Sequence, residues 1–450
     1  MTVAEGAAGA ASDRPTADLP KRQLIDLSLY WLGLSSIFAG LTAILGGRLE
    51  FTGLVPAGDE GKALFWTTIG GAVIAMIVQP TIGSISDYTT SRWGRRKPYI
   101  LIGSILDVVF LVGIAMSNNL LAIGAFVTLL QFSSNFAQGP FQGYVPDLVP
   151  ARQVGLASAL VGLFQILGNV VGFAVGAIAI ATHQYELGLI ALGVLELATM
   201  LVVFIRVHEG RTPKSRAGRS WRAVAAEAWG TDILREHSFL WLVASRLAIL
   251  MAGGVIVNLA TFYLHRTQGL TEGQTGGALI GFVGLVALGT IIAVIPSARI
   301  SDRVGRKNVI YASCAIGALG LGITAAAPSM TVAYVGVMTY GLSAGIFLAV
   351  DWALMTDIIP KASSGRYMGI SNVATAASGV LAVAIGGSLM DVVGGEAKLG
   401  SGPRAALVMA VILFAVGALL LHPVDERRRE DREAAPAPKD LLAESVASAS

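Results

Sequence analysis

Long apolar runs alternate with short polar segments along the whole chain. Twelve of these runs approach the roughly 20 residues that a helix needs to cross a bilayer. Lipid cannot satisfy the backbone polar groups of an open sheet or loop, so we predict an all-α integral membrane protein with twelve transmembrane helices. The predicted spans cover residues 28–46, 64–86, 99–117, 120–142, 154–180, 187–206, 239–263, 276–298, 308–326, 331–355, 367–391 and 403–421.

The composition agrees with this pattern. Hydrophobic residues make up 54% of the chain and charged residues 14%, whereas about a quarter of the residues in an average soluble domain are charged. The mean hydropathy is +0.68, and the 54 glycines suit helices that approach each other closely in lipid. These values exclude an ordinary soluble protein.

Lys and Arg are concentrated in every second loop. Of the 32 Lys and Arg residues, those in the other set of loops are Arg48, Lys62, Arg266, Lys398 and Arg404. The positive-inside rule therefore predicts a cytoplasmic (inner) membrane protein with both termini in the cytoplasm. The first apolar run has no small-residue cleavage site, so we expect no cleavable signal peptide. The net charge of +3 follows from these loops and does not indicate nucleic-acid binding.

A long basic loop separates six spans from six. We expect this loop to lie on the anionic inner leaflet and the charged, Ala- and Pro-rich C-terminal segment to be disordered. The predicted regions are a cytoplasmic tail (1–27), a six-helix bundle (28–206), a basic cytoplasmic linker (207–238), a second six-helix bundle (239–421) and a disordered cytoplasmic tail (422–450).

Two motifs of the first half recur in the second half. One is Asp-X-X-Pro, which begins at Asp147 and again at Asp357; the other is an acid followed by Arg, Gly and Lys residues, which begins at Asp87 and again at Asp302. The two motifs recur at nearly the same separation, which predicts two homologous bundles. Such pseudo-symmetric bundles rock about a shared central site in alternating access.

The loop between spans two and three is expected to close the cytoplasmic side. Gly83 lets span two approach a neighbouring helix, and Asp87 can pair with an Arg or face a helix N-terminus. The alternative is that the basic residues only fix the topology. Ala298 stands where Gly83 does, which predicts a looser second gate. The expected gate residues are Gly83, Asp87, Arg92, Arg95, Arg96, Asp302, Arg303, Arg306 and Asp357.

Neutral polar residues recur at helical spacing along spans four and five, so each set shares one helix face. Buried amides cost free energy unless they are bonded. They therefore indicate either a wet cavity, which we favour for span four, or a helix–helix seam; for span five the two are balanced. Amides on one wall and an aromatic residue on the other suit a neutral, hydroxylated solute. The expected substrate-binding residues are Tyr30, Gln131, Asn135, Gln138, Gln142, Gln165, Asn169, Arg246, Asn258 and Trp352.

Three segments in the first half carry a family resemblance. They are residues 86–100 (SDYTTSRWGRRKPYI), 135–142 (NFAQGPFQ) and 168–176 (GNVVGFAVG). They are similar to plant sucrose–proton symporters, which belong with the glycoside–pentoside–hexuronide:cation symporters in the major facilitator superfamily. The resemblance covers about residues 79–180, and the second half matches only the superfamily pattern. It implies the major facilitator fold and proton-coupled sugar uptake.

The resemblance also bears on the acids inside spans, which are functional candidates by default. A helix-four acid takes part in proton coupling in these symporters, and Asp147 is the match here, although its repeat partner Asp357 favours a gate role. For Asp351, proton coupling and a gate or cap role are equally favoured alternatives. Asp107 and Glu196 lie on spans three and six, which sit peripherally in this superfamily, so we expect a structural role for both.

Several positions depart from the plant symporters. Gln142 stands where they carry an Arg, Arg152 is only the nearest match to their basic residue at the start of helix five, and Ser245 replaces an acid before Arg246. Span two has no acid before Asp87, unlike the sodium-coupled melibiose carriers. This argues against their sodium site and leaves a proton or no coupling ion.

We therefore expect a secondary active transporter working by alternating access, as a proton-coupled symporter of a neutral sugar or glycoside that is sucrose- or maltose-like. The alternative is a drug or metabolite efflux antiporter, although the glycines at 168, 172 and 176 lack the Pro that usually accompanies such a motif there. A membrane sensor is disfavoured because no folded output domain follows the spans.

No nucleophile–base set or phosphate loop indicates an enzyme, and no cofactor or metal is expected. The single Cys314 is expected to pack as a small apolar residue. The expected partners are a small neutral solute, a sugar above all, together with a proton and the lipid bilayer. We expect no nucleic-acid partner and a monomeric chain.

Overall fold

The computed structural model describes residues 17–89, 91–209, 220, 236–358, 364–394 and 400–425. Most of the predicted basic linker, residues 1–16 of the N-terminal tail and the C-terminal tail from residue 426 lie outside the described residues. The described part contains twelve helices that are long and apolar enough to cross a membrane, which confirms the predicted all-helical fold.

The helices extend a few residues beyond the apolar runs at most ends, because polar helix ends need no lipid contact. In chain order they are α1 (Lys21–Phe51), α2 (Glu60–Ser86), α3 (Lys97–Met116), α4 (Leu120–Leu148), α5 (Val154–Thr182), α6 (Tyr185–Arg206), α7 (His237–Thr267), α8 (Glu272–Val304), α9 (Arg306–Ala326), α10 (Met330–Ile358), α11 (Ser364–Gly394) and α12 (Ser401–Leu421).

Two of these helices are interrupted near the sites described below. Helix α1 breaks at Leu29, between Lys21–Ser28 and Tyr30–Phe51. Helix α4 contains Pro140 and breaks at Gly143, after which it continues as Tyr144–Leu148. Proline lacks the N–H that an α-helix needs at an interior position, so the end of α4 departs from a regular helix.

The chain forms two compact units. The first comprises residues 1–229, 257–284 and 380–406, and the second comprises residues 230–256, 285–379 and 407–450. The boundaries between the units fall inside α7, α8, α11 and α12, so the division into two six-helix bundles stays a prediction.

Small residues form the helix seams within each unit. In the first unit, a side chain at Gly168 or Gly172 of α5 would overlap the backbone of α1 at Leu32 or Ser36. In the second unit, a side chain at Gly345 of α10 would overlap the backbone of α8 at Thr290. Gly168 and Gly172 of α5 therefore belong to a packed seam, as expected for helices that associate through van der Waals contact in lipid.

Candidate functional site

The predicted gate residues of the first half form a compact set of ion pairs, which we call the loop cluster: Asp87, Arg95, Arg96 and Asp147. Arg96 Nη2 lies 2.6 Å from both Asp87 Oδ1 and Asp147 Oδ2, and Arg95 Nη2 lies 2.5 Å from Asp147 Oδ2. The cluster therefore fixes the end of α2 and the start of α3 to the end of α4.

The local backbone makes room for Arg96. A Cβ at Gly143 would overlap the Arg96 guanidinium, and Arg96 Nη1 donates to the carbonyl of Pro140 at 2.8 Å. The break in α4 thus creates the place that the guanidinium occupies. Gly83 faces the backbone of Gly139 on α4, consistent with a close approach of span two to a neighbouring helix.

Glu209 caps α3 beside the loop cluster. Its carboxylate accepts hydrogen bonds from the backbone N–H groups of Arg96 and Lys97, the latter at 2.8 Å. Burial raises the pKa of the Glu209 carboxyl, and the two backbone N–H groups oppose that rise because they bond to its charged form. An acid at a helix N-terminus is also favoured by the helix dipole.

The second copy of the motif retains part of this arrangement. Arg306 Nε lies 2.9 Å from Asp357 Oδ2, which repeats the pairing of Asp147 in the first half. Asp302 and Arg303 are exposed and form no ion pair with another described residue. In the first copy, Arg92 stacks over the Trp93 ring at 4.9 Å.

A second cluster lies inside the spans of the second unit, formed by Arg246 of α7, Asp351 and Trp352 of α10, and Thr375 of α11. We call it the Arg246 cluster. Arg246 is 4% exposed and Asp351 is 1% exposed. Arg246 Nη1 donates to Asp351 Oδ2, and Nη2 donates to Thr375 Oγ1 at 3.1 Å.

The Arg246 cluster has unused hydrogen-bonding capacity. Arg246 Nε and Asp351 Oδ1 are buried without a hydrogen-bond partner among the described residues. Trp352 is 41% exposed, and the guanidinium lies 5.3 Å from the centre of its ring. One donor, one acceptor and one accessible aromatic face therefore stand together.

The amide row of α4 is partly self-bonded. Asn135 is 4% exposed, and its Nδ2 donates to the backbone oxygen of Gln131 at 2.8 Å and approaches the Gln131 side-chain oxygen at 3.4 Å. The side chains at 131, 138, 142, 165 and 258 are half-buried, and Asn169 is exposed. The described contacts do not bring these residues and Arg246 together, so their role as a binding wall stays a prediction.

Tyr30, a predicted substrate-binding residue, is buried in the first unit. It is 0% exposed, and its hydroxyl donates to Glu196 Oε1 at 2.8 Å and lies 2.5 Å from Ser104 Oγ. The Tyr30 hydroxyl is thus hydrogen-bonded inside the first unit, and its role in substrate binding stays a prediction.

A third cluster lies at the opposite end of α2 from the loop cluster. It comprises Glu50 of α1, Glu60 of α2, Arg266 of α7 and Asp391 of α11, and we call it the Arg266 cluster. Arg266 Nη2 lies 2.5 Å from Glu50 Oε2 and 2.8 Å from Glu60 Oε1, and all three side chains are buried. The Asp391 carboxylate accepts from the backbone N–H groups of Gly61 and Lys62 at 3.0 and 2.8 Å.

The family model described as Major Facilitator Superfamily matches residues 27–383 and 278–448. The chain belongs to this superfamily. Its members are transporters, so the protein is a multi-pass membrane transporter and not an enzyme.

Among curated proteins, the chain is similar to plant sucrose transport proteins. It is 33% identical over 173 residues to sucrose transport protein SUT1 of Oryza sativa subsp. japonica, covering 29% of this chain and 32% of SUT1. It is 28% identical over 189 residues to sucrose transport protein SUC4 of Arabidopsis thaliana, covering 37% of this chain and 36% of SUC4. The match therefore spans about a third of these relatives, and the resemblance inferred from the motifs is confirmed.

Solved structures share the fold at low identity. The nucleoside transporter NupG aligns with a TM-score of 0.67 at 13% identity, covering 89% of this chain and 98% of NupG. A bacterial homolog of the human lysosomal transporter Spinster, in an inward-facing and occupied conformation, aligns with a TM-score of 0.71 at 12% identity over 94% of this chain and 100% of that one. These likenesses establish the fold of this superfamily member and nothing about its solute.

Sequence reasoning missed three features of this superfamily transporter. Glu209 lies in a segment read only as linker, and Arg266 was counted only as a loop charge. Arg48 was treated in the same way, but it is 5% exposed and donates to the carbonyls of Ile114 and Ser117 at the end of α3. An acid or Arg at the end of an apolar run was the available signal in each case.

Proposed function

We propose that this protein is a proton-coupled symporter of a neutral sugar or glycoside, working by alternating access. The observation that carries the proposal is the Arg246 cluster, a buried ion pair beside an accessible indole face. Charged residues inside spans are costly and generally mark solute or proton pathways. The similarity to sucrose transport proteins supports a sugar as the solute.

The Arg246 cluster suits a sugar chemically. The indole face of Trp352 offers an apolar platform for the C–H face of a pyranose ring. Arg246 Nε and Asp351 Oδ1, which lack partners among the described residues, offer one donor and one acceptor to neighbouring hydroxyls. A buried site whose polar groups are unpaired without solute gains most from a ligand that pairs them.

The same ion pair supports proton coupling. While Asp351 is charged, it holds Arg246 in the pair. A proton on Asp351 removes the ionic attraction and frees the guanidinium for the sugar. Solute binding and protonation then favour one another, as reciprocal linkage requires. Asp147 remains the second coupling candidate, although its pairing with Arg95 and Arg96 equally supports a gate role.

Ion-pair clusters at both ends of the spans support alternating access. The loop cluster joins α2, α3 and α4 at one end, and the Arg266 cluster joins α1 and α2 to α7 at the other. In the proposed cycle each cluster breaks when its own end opens. The Lys and Arg distribution supports the placement of the loop cluster and both termini in the cytoplasm, in a cytoplasmic membrane.

The test is uptake into proteoliposomes that contain the purified protein. Labelled sucrose, maltose and several monosaccharides are offered with and without an inward proton gradient. We expect one or more sugars to accumulate above equilibrium, and a protonophore to abolish that accumulation. No uptake of any sugar by folded protein would contradict the proposal and would favour efflux of hydrophobic cations.

Asp351→Asn tests the coupling role. We expect this variant to lose gradient-driven accumulation and to retain sugar exchange, because the solute site persists while the exchangeable proton does not. Asp18→Asn is the matched control, since Asp18 forms only an exposed pair with Arg152. Full accumulation by Asp351→Asn would remove Asp351 from the coupling mechanism, and the same result for Asp147→Asn would remove Asp147.

A further inference from the structure

Two carboxyl groups lie close together in the interior of the first unit. Asp107 of α3 and Glu196 of α6 are both 0% exposed, and each carboxyl acts electrostatically on the other. The Tyr30 hydroxyl contacts both Glu196 and Ser104, which lies one helical turn before Asp107. Among the described residues neither carboxyl forms an ion pair. We call the two residues the carboxyl pair; its chemistry differs from that of the Arg246 cluster, where a guanidinium balances the acid.

Hydroxyl groups from α1, α3 and α4 surround the carboxyl pair. Tyr30 of α1 donates to Glu196 Oε1 at 2.8 Å, and Ser104 of α3 lies against the same carboxyl. On α4, Ser133 donates to Asp107 Oδ1, and the neighbouring Ser134 also faces Asp107. Tyr30 is thus the only further titratable group among the described contacts of the pair.

The surrounding hydroxyl groups do not provide a hydrogen-bond donor to every oxygen of the carboxyl pair. Asp107 Oδ2 and Glu196 Oε2 are buried and have no hydrogen-bond donor among the described residues. A buried polar atom without a partner costs free energy, and a carboxylate oxygen can only accept. A proton placed between the two carboxyls supplies the missing donor.

Charge leads to the same conclusion. Two adjacent carboxyls out of contact with water cannot both be ionised, because like charges repel strongly at low dielectric. One proton therefore stays on the pair. The hydroxyl donors stabilise the single remaining negative charge, and no described cation balances it, so a second proton would make the site neutral.

We propose that Asp107 and Glu196 form a proton-binding site that keeps one proton between its carboxyls and takes up and releases a second one during transport. The transport part of this inference rests on the proposed function. Proton binding itself does not depend on the solute. We prefer this role to the structural one expected from their peripheral spans, because no cation among the described residues balances the pair.

Side-chain contacts connect the carboxyl pair to the loop cluster. Tyr30 packs edge-on against Phe141, with ring centroids 4.9 Å apart. Phe141 follows Pro140, whose carbonyl accepts from Arg96 of the loop cluster. When Arg96 leaves its acids, the end of α4 loses an anchor next to the ring that positions Tyr30. The hydroxyl donor to Glu196 thus responds to the state of the loop cluster.

Infrared difference spectroscopy on the full chain in lipid nanodiscs, titrated with pH in the absence of solute, tests the site directly. We expect a carboxyl C=O band that grows as the pH falls and that is lost in Asp107→Asn and in Glu196→Gln. The matched control is Glu186→Gln, the same exchange at an exposed position of α6, which should leave the band unchanged.

Tyr30→Phe provides a second measurement if the acid variants fail to fold. It keeps the ring against Phe141 and removes the donor to the charged form of Glu196, so protonation becomes easier. We expect the midpoint of the titration to move to higher pH by about one unit, the size expected for one hydrogen bond to a charged group.

The outcomes separate this inference from the proposed function. Proton binding would be overturned by a carboxyl band that is absent or that does not change with pH. It would also be overturned if the band titrated in Glu196→Gln and in Tyr30→Phe as it does in the wild-type protein. A titrating band together with full proton-driven accumulation by Glu196→Gln would overturn its part in transport. If wild-type protein takes up no sugar while the band titrates as expected, the proposed function fails and the proton site stands.

Discussion

At the scale of single residues, the Arg246 cluster contains a buried ion pair in which each charge depends on the other for its stabilisation. A buried ion pair need not add much net stability, because both charges lose their hydration. Removing one partner is far more costly than removing both, since it leaves the other charge buried alone. Asp351, 1% exposed, has no second cation among the described residues to take over from Arg246.

We expect Arg246→Gln to lower the free energy of unfolding by about 3 kcal/mol, or by less if Asp351 takes up a proton. The double variant Arg246→Gln/Asp351→Asn should regain most of that loss. Thermal unfolding in detergent measures both effects. Arg152→Gln is the control, because its pair with Asp18 is exposed and should contribute less than about 1 kcal/mol. A double variant no more stable than Arg246→Gln would contradict this account.

Residue roles could be predicted from the sequence only as far as a role is local. An acid or Arg inside an apolar run is visible by itself, so Arg246 and Asp351 were found. Tyr30 shows the limit, because its hydroxyl is taken up by Glu196, 166 positions away. No spacing pattern reports a contact of that range.

At the scale of elements, the start of α2 is unusual in how it is capped. The first N–H groups of a helix have no partner within the helix. Asp59 occupies the capping position, but its side chain accepts no cap hydrogen bond. Asp391 of α11 supplies the acceptors instead, through both carboxylate oxygens. The cap of one helix therefore depends on another helix far away in the chain.

This arrangement predicts an inversion of the usual capping effect. Asp391→Ala should lower the free energy of unfolding by about 1 kcal/mol, the typical contribution of a capping side chain. Asp59→Ala should change it by a few tenths at most, because the Asp59 side chain forms one exposed ion pair, with Lys62, among the described residues. Thermal unfolding of the two variants side by side is the measurement. Equal losses, or a larger loss for Asp59→Ala, would contradict the capping role of Asp391.

The helices themselves were predictable because their apolar length is a property of consecutive residues. All twelve predicted spans correspond to helices of the structure. The breaks at Leu29 and Gly143 were not predicted. Pro140 signals an irregular turn, but the break at Gly143 also accommodates the Arg96 guanidinium from another loop. That contact is part of the tertiary structure, so the local sequence of α4 does not indicate it.

At the scale of the whole molecule, the charged residues are sorted by position along the spans. In the first unit, the loop cluster lies at the ends where α2 and α4 finish, the Arg266 cluster lies at the opposite end of α2, and the carboxyl pair lies between them. In the second unit, the Arg246 cluster lies inside the spans. A transporter that opens at one end at a time needs a reversible closure at each end. Ion pairs suit a closure because they form and break without repacking a core.

The Arg266 cluster gives the sharpest test of this organisation. Arg266 connects Glu50 and Glu60, of α1 and α2, to α7. Arg266→Gln leaves the two acids facing one another without a cation, so that end should open more often. Lys62→Gln is the matched control, since the one ion pair that Lys62 forms with a described residue is the exposed pair with Asp59.

A cysteine at Thr261 reports on the opening. Thr261 is 4% exposed and lies beside Gly46, and the natural thiol, Cys314, would first be replaced by serine. In nanodiscs, a maleimide should label Thr261→Cys several times faster on the Arg266→Gln background than on the Lys62→Gln background, because the rate follows the population of the open state. Equal labelling rates on the two backgrounds would mean that Arg266 does not hold this end closed, and the closure would then have to reside in the apolar packing of α1 against α7.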